Sequence, residues 1–234
     1  MKPTKNKVPK HIGIIIDGNR RFSKKLMLKP WMGHEFGARK VEKVFDWCKE
    51  YGIKELTLYA FSIENFDRPK KEFNYLMNLF IKEFSKFKDD PRIKEVKVNF
   101  IGRIWMFKKD IQELMHEIIN KTKNNKGFIL NFAMAYGGRA EVLDAVKKLA
   151  KDIKNNKINI NKINENVFAK NLYMESEPDL IIRTSGEQRT SGFLLWQGAY
   201  AEYHFCKKYW PEFSKKDFAK AIISYTNRER RFGR

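Results

Sequence analysis

Residues 11–21 read His11-Ile12-Gly13-Ile14-Ile15-Ile16-Asp17-Gly18-Asn19-Arg20-Arg21. A nearly unbroken aliphatic run stops at Asp17, as a strand buried on both faces of a parallel sheet would. The run is too short for a signal peptide or a membrane span, although a basic segment, 1–10, with Lys2, Lys5, Lys7 and Lys10, leads into it. Gly18 permits a tight turn, and the residues that follow are compatible with a helix. Strand, glycine turn and helix start together predict an α/β unit whose loop can present backbone amides to a ligand.

The same pattern recurs along the chain. Apolar runs at 55–61, 96–101, 128–133, 180–183 and 201–205 read as five more strands. Between them, Phe36, Val41, Val44, Phe45 and Cys48 fall at helical spacing, and Gly52 ends that stripe. Phe73, Leu76, Met77, Phe80, Phe84 and Phe87 form a second stripe, Ile111, Leu114, Met115 and Ile118 a third, and residues 142–153 a fourth. Each reads first as core packing. The Asn- and Lys-rich segment 154–166 reads as a solvated connection. With no internal repeat and no interdomain linker, residues 1–234 are expected to form a single α/β domain: a central, mostly parallel six-stranded sheet flanked by helices.

Composition narrows the function. A 42% hydrophobic, 14% aromatic chain is built to fold rather than to stay disordered. The 48 Lys and Arg against 28 Asp and Glu leave +20, so the partner is anionic: nucleic acid, an anionic membrane surface or a phosphorylated small molecule. Cys48 and Cys206 have neither disulfide nor zinc spacing, which points to a reducing compartment and a cytoplasmic location. Much of the positive charge lies in lysines scattered on helix faces, where it reads as solvated surface. No basic and aromatic stripe suggests a nucleic-acid interface.

Position along the chain separates the remaining options. Asp17-Gly18-Asn19-Arg20-Arg21 offers a phosphate free amides and two guanidinium forks. Asp17 would repel that phosphate unless a hard cation such as Mg²⁺ lies between them. Taken alone the tripeptide could be only a turn. Three further polar segments also follow predicted strands: Ser62-Ile63-Glu64-Asn65-Phe66-Asp67-Arg68, Tyr136-Gly137-Gly138-Arg139, and Arg183-Thr184-Ser185-Gly186-Glu187-Gln188-Arg189-Thr190-Ser191. The carboxyl edge of an open α/β sheet is where ligands bind, and four such segments share it.

These segments, with Gly33-His34 and Asn227-Arg228-Glu229-Arg230-Arg231-Phe232-Gly233, resemble the cis-prenyltransferases over nearly the whole chain. The resemblance implies a Mg²⁺-dependent homodimer that adds isopentenyl diphosphate to an allylic diphosphate, making a long polyprenyl diphosphate for a glycan carrier lipid. It implies Asp17 and Asn65 as catalytic residues and Asp17 with Glu202 as metal ligands. Gly18, Asn19, Arg20, Arg21, Phe22, His34, Ser62, Glu64 and Arg68 would surround the allylic substrate, and Arg183, Arg189 and Ser191 the isopentenyl diphosphate. The tail 226–234, through Arg231 and Gly233, would complete the partner subunit's site. One departure stands out: Pro30 replaces a family arginine, leaving Lys29 or Arg20 to make that contact.

The growing chain needs an apolar tunnel, for which Phe73, Met77, Phe80 and Phe84 are candidate lining residues and Phe128 a candidate floor. Asn19 has no useful basicity, so the proton released on condensation goes to a diphosphate oxygen or to water organised by Asp17 and His34. A long product implies transient membrane-surface contact on release. The alternatives are a silent partner-supporting subunit of the same fold, disfavoured by the complete set of diphosphate residues, and a nucleic-acid binder.

Overall fold

The opening aliphatic run forms β1 (His11–Ile15), buried at every residue. This is a computed structural model and describes residues 8–228. The other strands are β2 (Glu55–Ser62), β3 (Val96–Ile101), β4 (Phe128–Tyr136), β5 (Leu180–Arg183) and β6 (Glu202–Phe205). They form one sheet in the order β3-β4-β2-β1-β5-β6, and every pairing is parallel. The expected sheet was mostly parallel; a fully parallel one explains why β1 and β5 are aliphatic on both faces. Two strands run further than their apolar runs indicate. β2 reaches Ser62 and β4 reaches Tyr136, through register shifts after Tyr59 that keep the two paired.

The order decides where a ligand can sit. From β1 the chain steps to β2 on one side and returns, much later, to place β5 on the other. In that register Ile15 lies beside both Tyr59 and Arg183. The carboxyl ends of β1 and β5 therefore flank a topological switch point, where loops diverge and leave a crevice.

Helices α1 (Asn19–Lys25), α2 (Gly33–Tyr51), α3 (Lys70–Lys88), α4 (Lys109–Thr122), α5 (Gly138–Lys154), α6 (Glu165–Ala169) and α7 (Lys215–Thr226) complete the fold. Val44, Phe45 and Cys48 of α2, Leu76, Met77 and Phe84 of α3, Ile111 and Met115 of α4 and Phe218 of α7 share one core with Ile12, Ile14, Leu56 and Leu58 of the sheet. Phe36 departs from its expected stripe. It is exposed and packs edge-on against Phe22 of α1, with ring centroids 5.4 Å apart. On the other sheet face Ile15, Tyr59 and Tyr136 pack with Phe193 and Leu194.

Two glycines let α1 dock on α2. A Cβ at Gly33 would lie 2.0 Å from the Asn19 carbonyl oxygen, and one at Gly37 2.4 Å from Asn19 Oδ1. The docking holds the Asp17 loop against the start of α2. No helix among the described residues is long and apolar enough to cross a membrane. Most of the basic segment 1–10, and the tail residues Arg231 and Gly233, lie outside the described residues.

Candidate active site

Asp17 follows β1 by two residues, and its carboxylate is held from two sides. Arg21 Nη2 donates to Oδ1 at 3.0 Å, and Arg183 Nη2 donates to Oδ2 at 2.9 Å. Thr184 fixes the backbone there: its Oγ1 donates to the Asp17 carbonyl at 2.7 Å and accepts from the Asp17 amide at 3.0 Å. Burial pushes the Asp17 carboxyl up, but the Arg183 and Arg21 guanidinium groups outweigh it and hold the group below the ordinary carboxylate range. Asp17 is thus ionised at neutral pH and a poor base.

Arg183, at the end of β5, is only 4% exposed. Besides Asp17 it donates to the Arg189 carbonyl at 2.5 Å and to Ser191 Oγ at 2.8 Å. Its contacts bring together three residues expected at an isopentenyl diphosphate site. The Arg189 guanidinium itself is exposed and pairs with Glu187, which also accepts from Arg21 at 2.7 Å. Glu187 therefore bridges arginines from the two expected diphosphate sites.

A second cluster closes the other side. Arg68 donates to the buried Glu72 carboxylate at 2.8 Å, and Arg20 lies 3.6 Å from the same carboxylate. Arg68 Nη1 sits 3.3 Å from His34 Nε2. Burial first, then the positive charges of Arg68 and Arg20, push His34 down to about 3, so it is a neutral imidazole at physiological pH. Asn65 Oδ1 accepts from the Ser62 amide at 3.1 Å as half of a capping box on the turn after β2.

Two contiguous hollows join these groups. A polar one of about 350 Å³ is lined by Gly18, Arg20, Arg21, Lys24, His34 and Arg68 with Asp17 and Asn19. A second one of about 330 Å³, with a much longer apolar wall, shares Asp17, Asn19, His34 and Arg68 with the first, adds Ser62, Asn65 and Arg183, and continues past Ala38, Val41 and Phe45 of α2 and Leu76, Phe80 and Phe84 of α3. Most expected diphosphate residues thus meet in one place.

Several of the expected residues stand apart from the two hollows. Glu64 is exposed and Phe22 packs on Phe36, so neither lines the two hollows. Glu202 opens β6 opposite Leu180, at the amino end of the sheet, and pairs with Arg228. Within this chain it cannot join Asp17 on one metal ion. Phe73 packs on Phe61 and Phe66, Met77 is buried in the core and Phe128 lies edge-on to Phe45 at 5.1 Å, so of the expected tunnel residues only Phe80 and Phe84 reach the wall. Arg139 is exposed outside both hollows. The glycines before it instead admit a close backbone approach, Gly138 N donating to the Gly192 carbonyl at 2.9 Å. At the Pro30 departure, Lys29 lies over the Trp31 ring and Lys24 is the lysine on the polar wall. Sequence reading missed Lys24 and Glu72, and it placed Thr184 and Glu187 in the polar segment after β5 without the contact to the Asp17 backbone or the bridge between arginines. The four-residue spacing of Arg68 and Glu72 was the available signal for one of them.

Residues 15–233 match the family model described as putative undecaprenyl diphosphate synthase. A tritrans,polycis-undecaprenyl-diphosphate synthase (geranylgeranyl-diphosphate specific) of Pyrococcus horikoshii is 46% identical over 231 residues, covering 97% of this chain and 88% of that protein. An isoprenyl transferase of Thermus thermophilus is 46% identical over 235 residues, covering 97% and 89%. Among solved structures, lavandulyl diphosphate synthase from Lavandula x intermedia in complex with dimethylallyl diphosphate superimposes with a TM-score of 0.91 at 30% identity, over 98% of this chain and 100% of that one. A probable undecaprenyl diphosphate synthase from Campylobacter jejuni gives 0.80 at 30% identity, over 97% and 99%. With its fully parallel sheet, its arginine-held Asp17 and these matches along almost its full length, the chain belongs to the undecaprenyl diphosphate synthase family of cis-prenyltransferases.

Proposed function

We propose that the chain condenses isopentenyl diphosphate units onto an allylic diphosphate in this hollow and releases a long-chain polyprenyl diphosphate, the precursor of a glycan carrier lipid. The observation that carries the reading is the joining of an arginine-rich polar end to an apolar wall in one space. An anionic head and a hydrocarbon tail fit those two ends.

Arg20, Arg21, Lys24 and Arg68 hold the allylic diphosphate, while Arg183, Arg189 and Ser191 hold the isopentenyl diphosphate. Condensation breaks the allylic carbon-oxygen bond, joins that carbon to the terminal alkene carbon of isopentenyl diphosphate and releases a proton. The arginines stabilise the charge that builds on the departing diphosphate. Neither Asp17 nor His34 is basic enough at neutral pH to take the proton well, which favours a diphosphate oxygen as acceptor.

The donor chemistry fits a divalent cation, for which we propose Mg²⁺. Asp17 offers two carboxylate oxygens, and Asn19 Oδ1 is buried with no hydrogen-bond partner among the described residues. Among those residues no group of three or more His, Cys, Asp or Glu could hold a metal, so substrate oxygens and water would fill the shell, as suits Mg²⁺. Bound there, the ion would neutralise diphosphate charge.

A homodimer sharing its sites through the tail 226–234, a cytoplasmic location and transient membrane contact at product release belong to the same proposal. The test is incubation with labelled isopentenyl diphosphate, Mg²⁺ and allylic starters of ten, fifteen or twenty carbons, with products separated by length. The name of the Pyrococcus relative makes twenty carbons the first choice. A ladder of five-carbon steps is expected, and no incorporation with any starter would overturn the reading.

A further inference from the structure

The apolar wall does not end on a buried floor. Beyond Val41, Phe80 and Phe84 the same hollow is lined by Glu42 of α2, by Glu83, Lys86 and Phe87 of α3, and by Asp90 and Arg92 just after α3. Glu42, Lys86 and Arg92 are substantially solvent-exposed at 42%, 62% and 40%, so the hollow meets solvent between α2 and α3. Ion pairs span that opening. Lys86 Nζ lies 2.7 Å from one Glu42 oxygen, and Arg92 Nη2 lies 3.5 Å from the other. Arg92 is held in turn by Asp90 at 2.6 Å and by Asp46 at 3.6 Å. Glu42 is the hub, since two of the three pairs that cross from α2 use its carboxylate, the third being Arg92 with Asp46.

We propose that the Glu42-Lys86-Arg92 ion pairs form a charged rim through which a growing product tail leaves the protein, and that this rim is a bottleneck governing product length. The inference rests on the prenyl-elongation reading. From His34, at the polar end, to Glu42 is eight residues of α2, roughly 12 Å at about 1.5 Å per residue. Three extended backbone bonds span ~3.5 Å, so the four main-chain bonds of one isoprene unit span ~5 Å. A tail of about three units therefore reaches the rim, and every later unit pushes hydrocarbon through it. Each passage parts exposed ion pairs and brings apolar surface against charge. Exposed pairs are weak, so the rim slows passage without blocking it.

Glu42→Gln keeps the shape and removes the two cross-opening pairs made between residues that line the hollow, leaving Arg92 with Asp46, which lies outside it. Glu117→Gln breaks a comparable pair, with Lys88 on α3 at 2.9 Å, that does not line the hollow, and so serves as the matched control. Each chain is given a ten-carbon allylic diphosphate, labelled isopentenyl diphosphate and Mg²⁺, and the ladder is read over time, with thermal melting to verify folding. In the wild type, products of three to four units accumulate before longer ones. In Glu42→Gln the ratio of longer to three- and four-unit products rises about two- to five-fold, the rate equivalent of one exposed ion pair. Glu117→Gln keeps the wild-type ratio. An unchanged Glu42→Gln ladder, or an equal shift in the control, overturns the rim while leaving elongation standing. A wild-type chain that elongates the twenty-carbon starter but not the ten-carbon one never grows a tail up to and through the rim, which overturns the rim alone, and a chain that elongates no starter overturns both readings.

Discussion

Asp17→Ala should destabilise the fold as well as abolish turnover. Asp17 is the carboxylate partner of Arg183, whose side chain is 5% exposed while that of Asp17 is 27% exposed. Removing it leaves a nearly buried guanidinium with one neutral carbonyl and one hydroxyl as acceptors, beside Arg21. Stripping one partner from a fully buried pair costs ~3 to 5 kcal/mol; the partial exposure of Asp17 and the two remaining acceptors reduce this to about 2 kcal/mol. For a chain of 234 residues, that lowers the melting temperature by roughly 4 to 8 °C. Arg183→Met removes the charge that needs a partner, so Asp17→Ala in that background should cost much less, a non-additivity of ~1 to 3 kcal/mol. The assay is thermal unfolding by circular dichroism at one fixed protomer concentration, because association would shift the midpoint. The pH dependence has a definite sign. Asp17 titrates lower folded than unfolded, so its stabilisation is complete above the unfolded carboxylate value and is lost as pH falls through the depressed folded value. The gap between wild type and Asp17→Ala should therefore close in acid below about pH 4. Equal midpoints at neutral pH, or strictly additive variants, would refute the argument that this pair holds β1 and β5 together at the site.

Gly33→Ala should cost several kcal/mol, because its Cβ would meet the Asn19 carbonyl oxygen at 2.0 Å; a wild-type melting temperature would contradict the close docking of α1 on α2. Phe128→Ala should destabilise by ~3 to 5 kcal/mol through a cavity beside Phe45 and leave product lengths unchanged, so longer products would return Phe128 to the tunnel. His34 should show no imidazole titration by NMR between pH 5 and 8, since burial and two arginines push it down to about 3; a midpoint near 6.5 would disprove that environment. Chains truncated after Arg230, mixed with full-length Asp17→Ala chains, should regain activity on subunit exchange if the tail serves the partner's site, and no recovery after proven exchange would count against sharing.

What could be read without the fold was local. Strands buried on both faces must be almost wholly apolar, so Ile12, Ile14 and Ile15 announced β1, and Leu180 to Ile182 announced β5. The polar residues just beyond such strands share the carboxyl edge of any parallel sheet, which is why Asp17, Asn65, Arg68 and Arg183 were recognisable and do line one hollow. What lies far apart in the chain needed the tertiary structure. The strand order sets Arg183 against Asp17 across 166 residues, and no local pattern encodes which strand lies beside which. Register decided that Glu202 stands at the wrong end of the sheet for Asp17, since a strand's length separates its two ends whatever the motif suggests. The aromatic stripe of α3 showed the same limit. Helical spacing put Phe73, Met77, Phe80 and Phe84 on one broad face, but only the packing of Phe61, Phe66 and the sheet against that face determined that Phe80 and Phe84 line the hollow while Phe73 and Met77 fill the core.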